Sequence, residues 1–134
     1  MSFERFPYPL GLVVGIFRST EQLLRAEEGL ERAGLSSQRS EVLHGEEDAR
    51  SLDVSGDAHG LRGRLIRALQ KASSPDLDHA RRHAQYMRDG DYVLAVEVGN
   101  DEDAKRGVAD ALRAAGAEFL NYYGENYIES LSGR

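Results

Sequence analysis

His79 and His83 lie four residues apart, with Asp78 and Tyr86 beside them. On a helix that spacing puts both imidazoles on one face, where they could grip a single metal ion. A third ligand would have to come from His44, Asp57 or His59. The segment lacks the glutamate of an H-E-x-x-H motif, and Arg81 and Arg82 stand between the histidines. The same pattern suits a solvated helix face, and that is the reading we expect.

A second set is Gly56-Asp-Ala-His-Gly60-Leu-Arg-Gly63-Arg64. Glycines ahead of a helix can expose backbone amides to an anion, with Asp57, His59, Arg62 and Arg64 as candidate ligand contacts. The spacing fits neither a dinucleotide fingerprint nor a P-loop, so an irregular connector is the plainer expectation. A third set, His44 with Glu46, Glu47 and Asp48, places carboxylates at an expected helix start, where they favour the dipole without any acid–base role. The aromatics Phe119, Tyr122, Tyr123 and Tyr127 suggest base stacking, yet the strand Tyr92–Val98 lacks the stacking aromatics and basic residues this needs. We expect them to pack the last strand or a dimer contact. No serine sits in a nucleophile elbow, no Ser/His/Asp set follows from spacing, and no cofactor is implied.

These residues need elements to carry them. At 134 residues the chain suits a single domain with a core of its own. It holds no cysteine, so disulfides, thiolate metal sites and thiol nucleophiles are excluded and a cytoplasmic setting is expected. The net charge of −6 argues against nucleic-acid binding, and neither a signal peptide nor a membrane span is expected.

Residues 12–35 and 94–117 resemble two copies of one unit, an offset of 82 residues that pairs Gly34 with Gly116. Each copy reads as an apolar strand, a polar cap, an amphipathic helix and a glycine stop. Ser19 with Gln22 forms a capping-box pattern, and Asp101 or Asn100 caps the second helix. Arg39–His44 is expected to be an edge strand and Phe119–Tyr123 the last strand. Between the copies, helices are expected near Glu46–Leu52, Leu61–Ala72 and Asp76–Arg88, with a loop at Val54–Gly60. Residues 1–9 read as an extended arm. The arrangement predicts an α+β, ferredoxin-like βαββαβ sandwich with a helical insertion at about 46–90, between the second and third strands.

Leu10–Phe17 and Tyr92–Val98 are apolar on both sides, so the sheet face away from the repeat helices must be covered. Val13, Phe17, Val93 and Ala95 are expected there, beneath the middle helices or a second subunit. A homo-oligomer through a sheet face or edge is therefore expected.

Val13-Val-Gly-Ile-Phe-Arg-Ser-Thr-Glu-Gln22, with Ala33-Gly34 and Glu41-Val-Leu, is similar to the opening of the bacterial general stress protein domain, heat-induced YflT type. Glu46-Glu-Asp-Ala-Arg50 resembles that group's short acidic helix. Asp89-Gly-Asp-Tyr-Val-Leu-Ala-Val-Glu-Val98 and Ala114-Ala-Gly116 resemble its closing half. The likeness covers roughly residues 11–123, without the long glycine-rich middle of many relatives. It implies a small intracellular, non-enzymatic, stress-associated module that binds a protein or small-molecule partner, and it supplies no catalytic residues. The competing expectation is a regulatory domain sensing a small ligand, an anion or a metal.

Overall fold

A computed structural model describes residues 11–52, 60–72, 78–124 and 127–132. The expected arm at 1–9, most of the Val54–Gly60 loop, and the proline start of the third middle helix lie outside these residues.

Among the described residues the chain is α+β, with a five-stranded antiparallel sheet and five helices. Strand β1 (Leu12–Phe17) leads through helix α1 (Thr20–Arg32) to β2 (Ser40–His44). Helices α2 (Gly45–Ser51), α3 (Gly60–Lys71) and α4 (His79–Arg88) come before β3 (Tyr92–Glu97). Helix α5 (Glu102–Ala114) then leads to β4 (Glu118–Tyr123) and β5 (Ile128–Ser130). The sheet order is β2-β3-β1-β4-β5, so β2 is an edge and β1 and β3 are central. None of the helices is long and apolar enough to cross a membrane.

The helix starts follow from local chemistry. Ser19 accepts a hydrogen bond from the Gln22 amide, and Gln22 Oε1 accepts one from the Arg18 amide at 2.8 Å. Asp101 accepts from the Asp103 and Ala104 amides and so caps α5. Gly34 and Gly116, at φ +76° and +100°, end the two repeat helices in the left-handed conformation that glycine adopts without strain. Asp48 accepts from the His44 amide at 2.8 Å, so this acid serves the helix start as expected.

Both sheet faces are dry. Helices α1 and α5 cover Val13, Phe17, Leu94, Val96, Leu120 and Tyr122. Helices α2, α3 and α4 cover Leu12, Val14, Ile16, Leu43, Val93, Ala95 and Tyr123. The middle helices thus perform the covering within the chain, and no second subunit is required for it. The expected grouping of residues is corrected, however. Val13 and Phe17 lie under the repeat helices, not opposite them, while Val93 and Ala95 do face the middle helices.

The cause is a one-residue slip in the repeat. The helices match at the 82-residue offset: Ala26 and Val108, like Leu30 and Leu112, are buried in the same layer. One residue separates Phe17 from its cap Ser19, but two separate Val98 from Asp101. Side chains alternate with period two, so Leu12 and Val14 point opposite to their aligned partners Leu94 and Val96.

Strand β4 carries an irregularity with consequences. Val14 pairs with Asn121 and Ile16 with Glu118, so Phe119 and Leu120 together face Gly15. This is a β-bulge, and Phe119 sits in it at φ +47°, a conformation that costs a phenylalanine about 1–3 kcal/mol. Gly15 makes the room. A Cβ there would lie 2.9 Å from Leu120 Cδ1 and 3.1 Å from Ala117 Cβ. Gly15→Ala should therefore destabilise the protein by about 1–3 kcal/mol in urea unfolding. An unchanged midpoint would show that the bulge does not depend on this glycine.

Candidate functional site

Side chains of α4 reach those of β4, and the groups that meet there differ from the rest of the core. Ala80, Ala84 and Met87 form the apolar stripe of α4, and His79 and His83 are buried with it. His83 is 0% exposed and His79 is 9% exposed, which overturns the solvated face expected for them. Arg81 and Arg82 do face solvent, because they occupy the opposite arc of the helix. From β4, alternate residues Phe119, Asn121 and Tyr123 point at α4. The rings of His79 and His83 lie 5.2 and 5.1 Å from that of Phe119. Tyr86 approaches the same ring at 6.3 Å.

The hydrogen bonds of this seam have a direction. His83 Nδ1 lies 2.7 Å from the carbonyl oxygen of His79, which can only accept, so Nδ1 carries the proton. His83 Nε2 is left as a bare acceptor, buried and without a partner. His79 Nδ1 lies 2.7 Å from Tyr123 Oη. Burial holds the Tyr123 phenol well above its usual range, against smaller opposing effects of a hydrogen bond from Asn121 and the charge of Arg82. Tyr123 thus keeps its proton. The Tyr123 hydroxyl can donate to His79 Nδ1, while the Asn121 amide donates to the Phe119 carbonyl at 3.2 Å.

Arg82 closes the outer side of the seam. Its guanidinium carbon sits 3.9 Å above the Phe119 ring centre, a cation–π contact that holds the group flat. Neighbouring arginines have carboxylate partners: Arg81 pairs with Asp78 at 3.2 Å and Arg88 with Glu46 at 3.1 Å. The Arg82 guanidinium has none among the described residues.

The other expected contacts fall elsewhere. Asp57 and His59 lie outside the described residues. Arg62 is paired with Glu41 and Asp48, and Arg64 with Glu97, so their charges tie α3 to β2, α2 and β3. His44 stacks on Tyr92 with ring centres 4.0 Å apart, and its Nδ1 lies 3.1 Å from the Asp91 carbonyl. It is remote from the seam. Among the described residues no third histidine or acid joins His79 and His83 as a metal set. Two neutral imidazoles beside a guanidinium suit a cation poorly.

Tyr122, on the opposite face of β4, donates to the Gly99 carbonyl at 2.8 Å and lies under the ammonium of Lys105, with 4.6 Å from Nζ to the ring centre. It is a packing residue, as expected. A shallow groove between α1 and α5 is floored by Gly29, Gly107 and Ala111. These glycines serve close packing, since a Cβ on Gly107 would meet Leu35 Cδ1 at 2.9 Å.

Comparison with family models, with curated proteins and with solved structures returns no match.

Burial, opposed by the bond to the His79 carbonyl, lowers the His83 pKa from 6.5 to about 4; the charges of His79 and Arg82 lower it further. His79 is shifted the same way, by burial first and then by Arg82, against the pull of Asp78. A depressed imidazole is neutral when folded and protonates more readily when unfolded. Its contribution is therefore complete above pH 6.5 and declines as pH falls toward 4. For His83 that contribution is about 3 kcal/mol. Unfolding measured between pH 7 and pH 4 should show His83→Phe losing much less stability than the parent. Parallel losses in the two proteins would rule out a neutral buried His83.

Proposed function

We propose that this chain is a non-enzymatic, cytoplasmic, stress-associated module that works by binding, and that the α4–β4 seam is its binding site. The order of elements and the 2-3-1-4 run of strands support reading the core as ferredoxin-like βαββαβ, with α2–α4 as a helical insertion and β5 as an added edge. The similarity of residues 11–123 to the heat-induced general stress domain supports the stress association.

One observation carries the assignment to the seam: a strained Phe119, a partnerless buried His83 Nε2 and an unpaired Arg82 meet in one place. Strain and unmet polar groups persist where structure around them is arranged for a purpose other than stability. The same groups fit binding better than turnover. A general base works best with a pKa near the operating pH and an open path to substrate, whereas His83 is closed off and neutral down to about pH 4. Burial keeps the Tyr123 phenol protonated, so it does not serve as a base.

The homo-oligomer expected from the sequence belongs, in this reading, at a strand edge, because helices occupy both faces. The open side of β2 is the candidate.

Thermal melting of the untagged protein against nucleotides, divalent metals and small anions tests the reading. A ligand at about a hundred times its Kd adds about 2.7 kcal/mol of stability. At least one class should raise the melting temperature saturably, and His79→Ala with Arg82→Gln should remove the effect. Turnover of a defined substrate, abolished by a point change at His79 or Tyr123, would contradict the non-enzymatic reading.

A further inference from the structure

We propose that β2 pairs with β2 of a second copy of this chain, antiparallel across a two-fold axis at Val42, so that two sheets become one. The inference rests on the reading that self-association belongs at this strand edge, and it fixes the partner and the register.

The pairing of β2 with β3 decides which backbone groups face outward. Ser40 stands opposite Val96, and Val42 opposite Leu94. The Glu97 amide donates to the Arg39 carbonyl at 2.8 Å, which makes Arg39 and Glu97 a hydrogen-bonded pair. Such pairs alternate along an antiparallel ladder, so Glu41 and Leu43 turn their backbone groups toward β3. Ser40, Val42 and His44 turn theirs away. The His44 amide bears this out, since it donates to the Asp48 carboxylate at 2.8 Å and not to β3. The outward amides and carbonyls of Ser40 and Val42 have no partner among the described residues.

Nothing on this strand defends its edge. It has no lysine and no proline, and its register on β3 runs without a bulge. Its one acid, Glu41, is held by Arg62 at 3.0 Å. The opposite edge of the sheet, β5, is only three residues long, which limits pairing there.

The strand is complementary to itself in one register. Two identical edges related by a two-fold axis pair antiparallel, each offering the other the same groups. With the axis at Val42, the two Val42 residues exchange amide and carbonyl bonds, and each Ser40 amide meets the His44 carbonyl of the second copy. The His44 amide, already bonded to Asp48, is not called on. Val42, half-buried in the single chain, then packs against its counterpart. An axis at Glu41 would set two glutamates directly opposite each other, and like charges so placed repel. An axis at Leu43 would require the His44 amide that Asp48 occupies.

Sedimentation of the full chain over a concentration series tests the proposal, and the parent should form a dimer. Val42→Pro deletes an outward amide and no bond to β3, and the two-fold axis counts that loss twice. Val42→Lys places two like charges on the axis. Each variant should weaken the dimer about tenfold or more, with a cooperative melt showing that the chain still folds. The sequence has no cysteine, so single-cysteine variants report the register cleanly. Hydrogen-bonded antiparallel pairs hold Cα atoms about 5.5 Å apart, within disulfide reach. Under mild oxidation Val42→Cys should therefore cross-link far more than Ser40→Cys or Glu41→Cys. Strongest cross-linking at Ser40→Cys or Glu41→Cys would overturn the register and leave the edge as the contact. A monomeric parent, or a dimer indifferent to both Val42 variants, would overturn the edge as well. Neither result touches the binding role given to the α4–β4 seam.

Discussion

A five-stranded sheet with apolar side chains on both faces must be shielded from water twice, and the architecture follows from that requirement. The central strands β1 and β3 bury alternate residues in two separate cores. A fully buried aliphatic or aromatic side chain contributes about 1.5–3 kcal/mol, so neither layer can be dispensed with. Helices α1 and α5 come from the repeated unit and close one face with matched caps and stops. The other face falls to α2, α3 and α4, which share no such template. Ion pairs from Arg62 and Arg64 to β2, α2 and β3 dock α3 against the remaining elements.

The second layer has an unusual seam because of what β4 offers it. The bulge opposite Gly15 places Phe119 on the side facing α4. Phe119, Asn121 and Tyr123 then present a ring, an amide and a phenol where another strand would present aliphatic groups. Two alanines, Ala80 and Ala84, keep α4 slender, and the imidazoles of His79 and His83 fill the gap above the rings. Tyr123 is hydrogen-bonded to His79, Asn121 donates to the Phe119 carbonyl, and His83 is tied to the helix backbone. A seam built for stability alone would leave no acceptor bare and no guanidinium unpaired. The outlying backbone angle of Phe119 belongs to the same design.

Much of this architecture was legible in the sequence, where local rules act alone. Strand alternation, the Ser19 and Asp101 caps, and the stops at Gly34 and Gly116 all depend on residues within a few positions. The strand faces were misread because a one-residue difference between the two strand–helix connections reverses the alternation. The burial of His79 and His83 was hidden by Arg81 and Arg82, which give the segment the composition of a solvated face. The bulge was hidden too, because phenylalanine is not a residue expected at positive φ; Gly15 within an apolar strand was the available signal. The three-residue β5 leaves little pattern to read. It is held by Lys105 to Glu129 at 2.7 Å and by Arg113 donating to the Leu131 carbonyl.

The central claim is that the seam buries His83 as a neutral imidazole whose proton position is fixed by the helix backbone. The nitrogen-15 spectrum of the two imidazoles at neutral pH tests it directly, because protonated and bare ring nitrogens resonate far apart. The account predicts a neutral His83 with its proton on Nδ1, bound to the His79 carbonyl, and a bare Nε2. A proton on Nε2 of His83, exchange-averaged signals from its ring, or a charged His83 at that pH would contradict it.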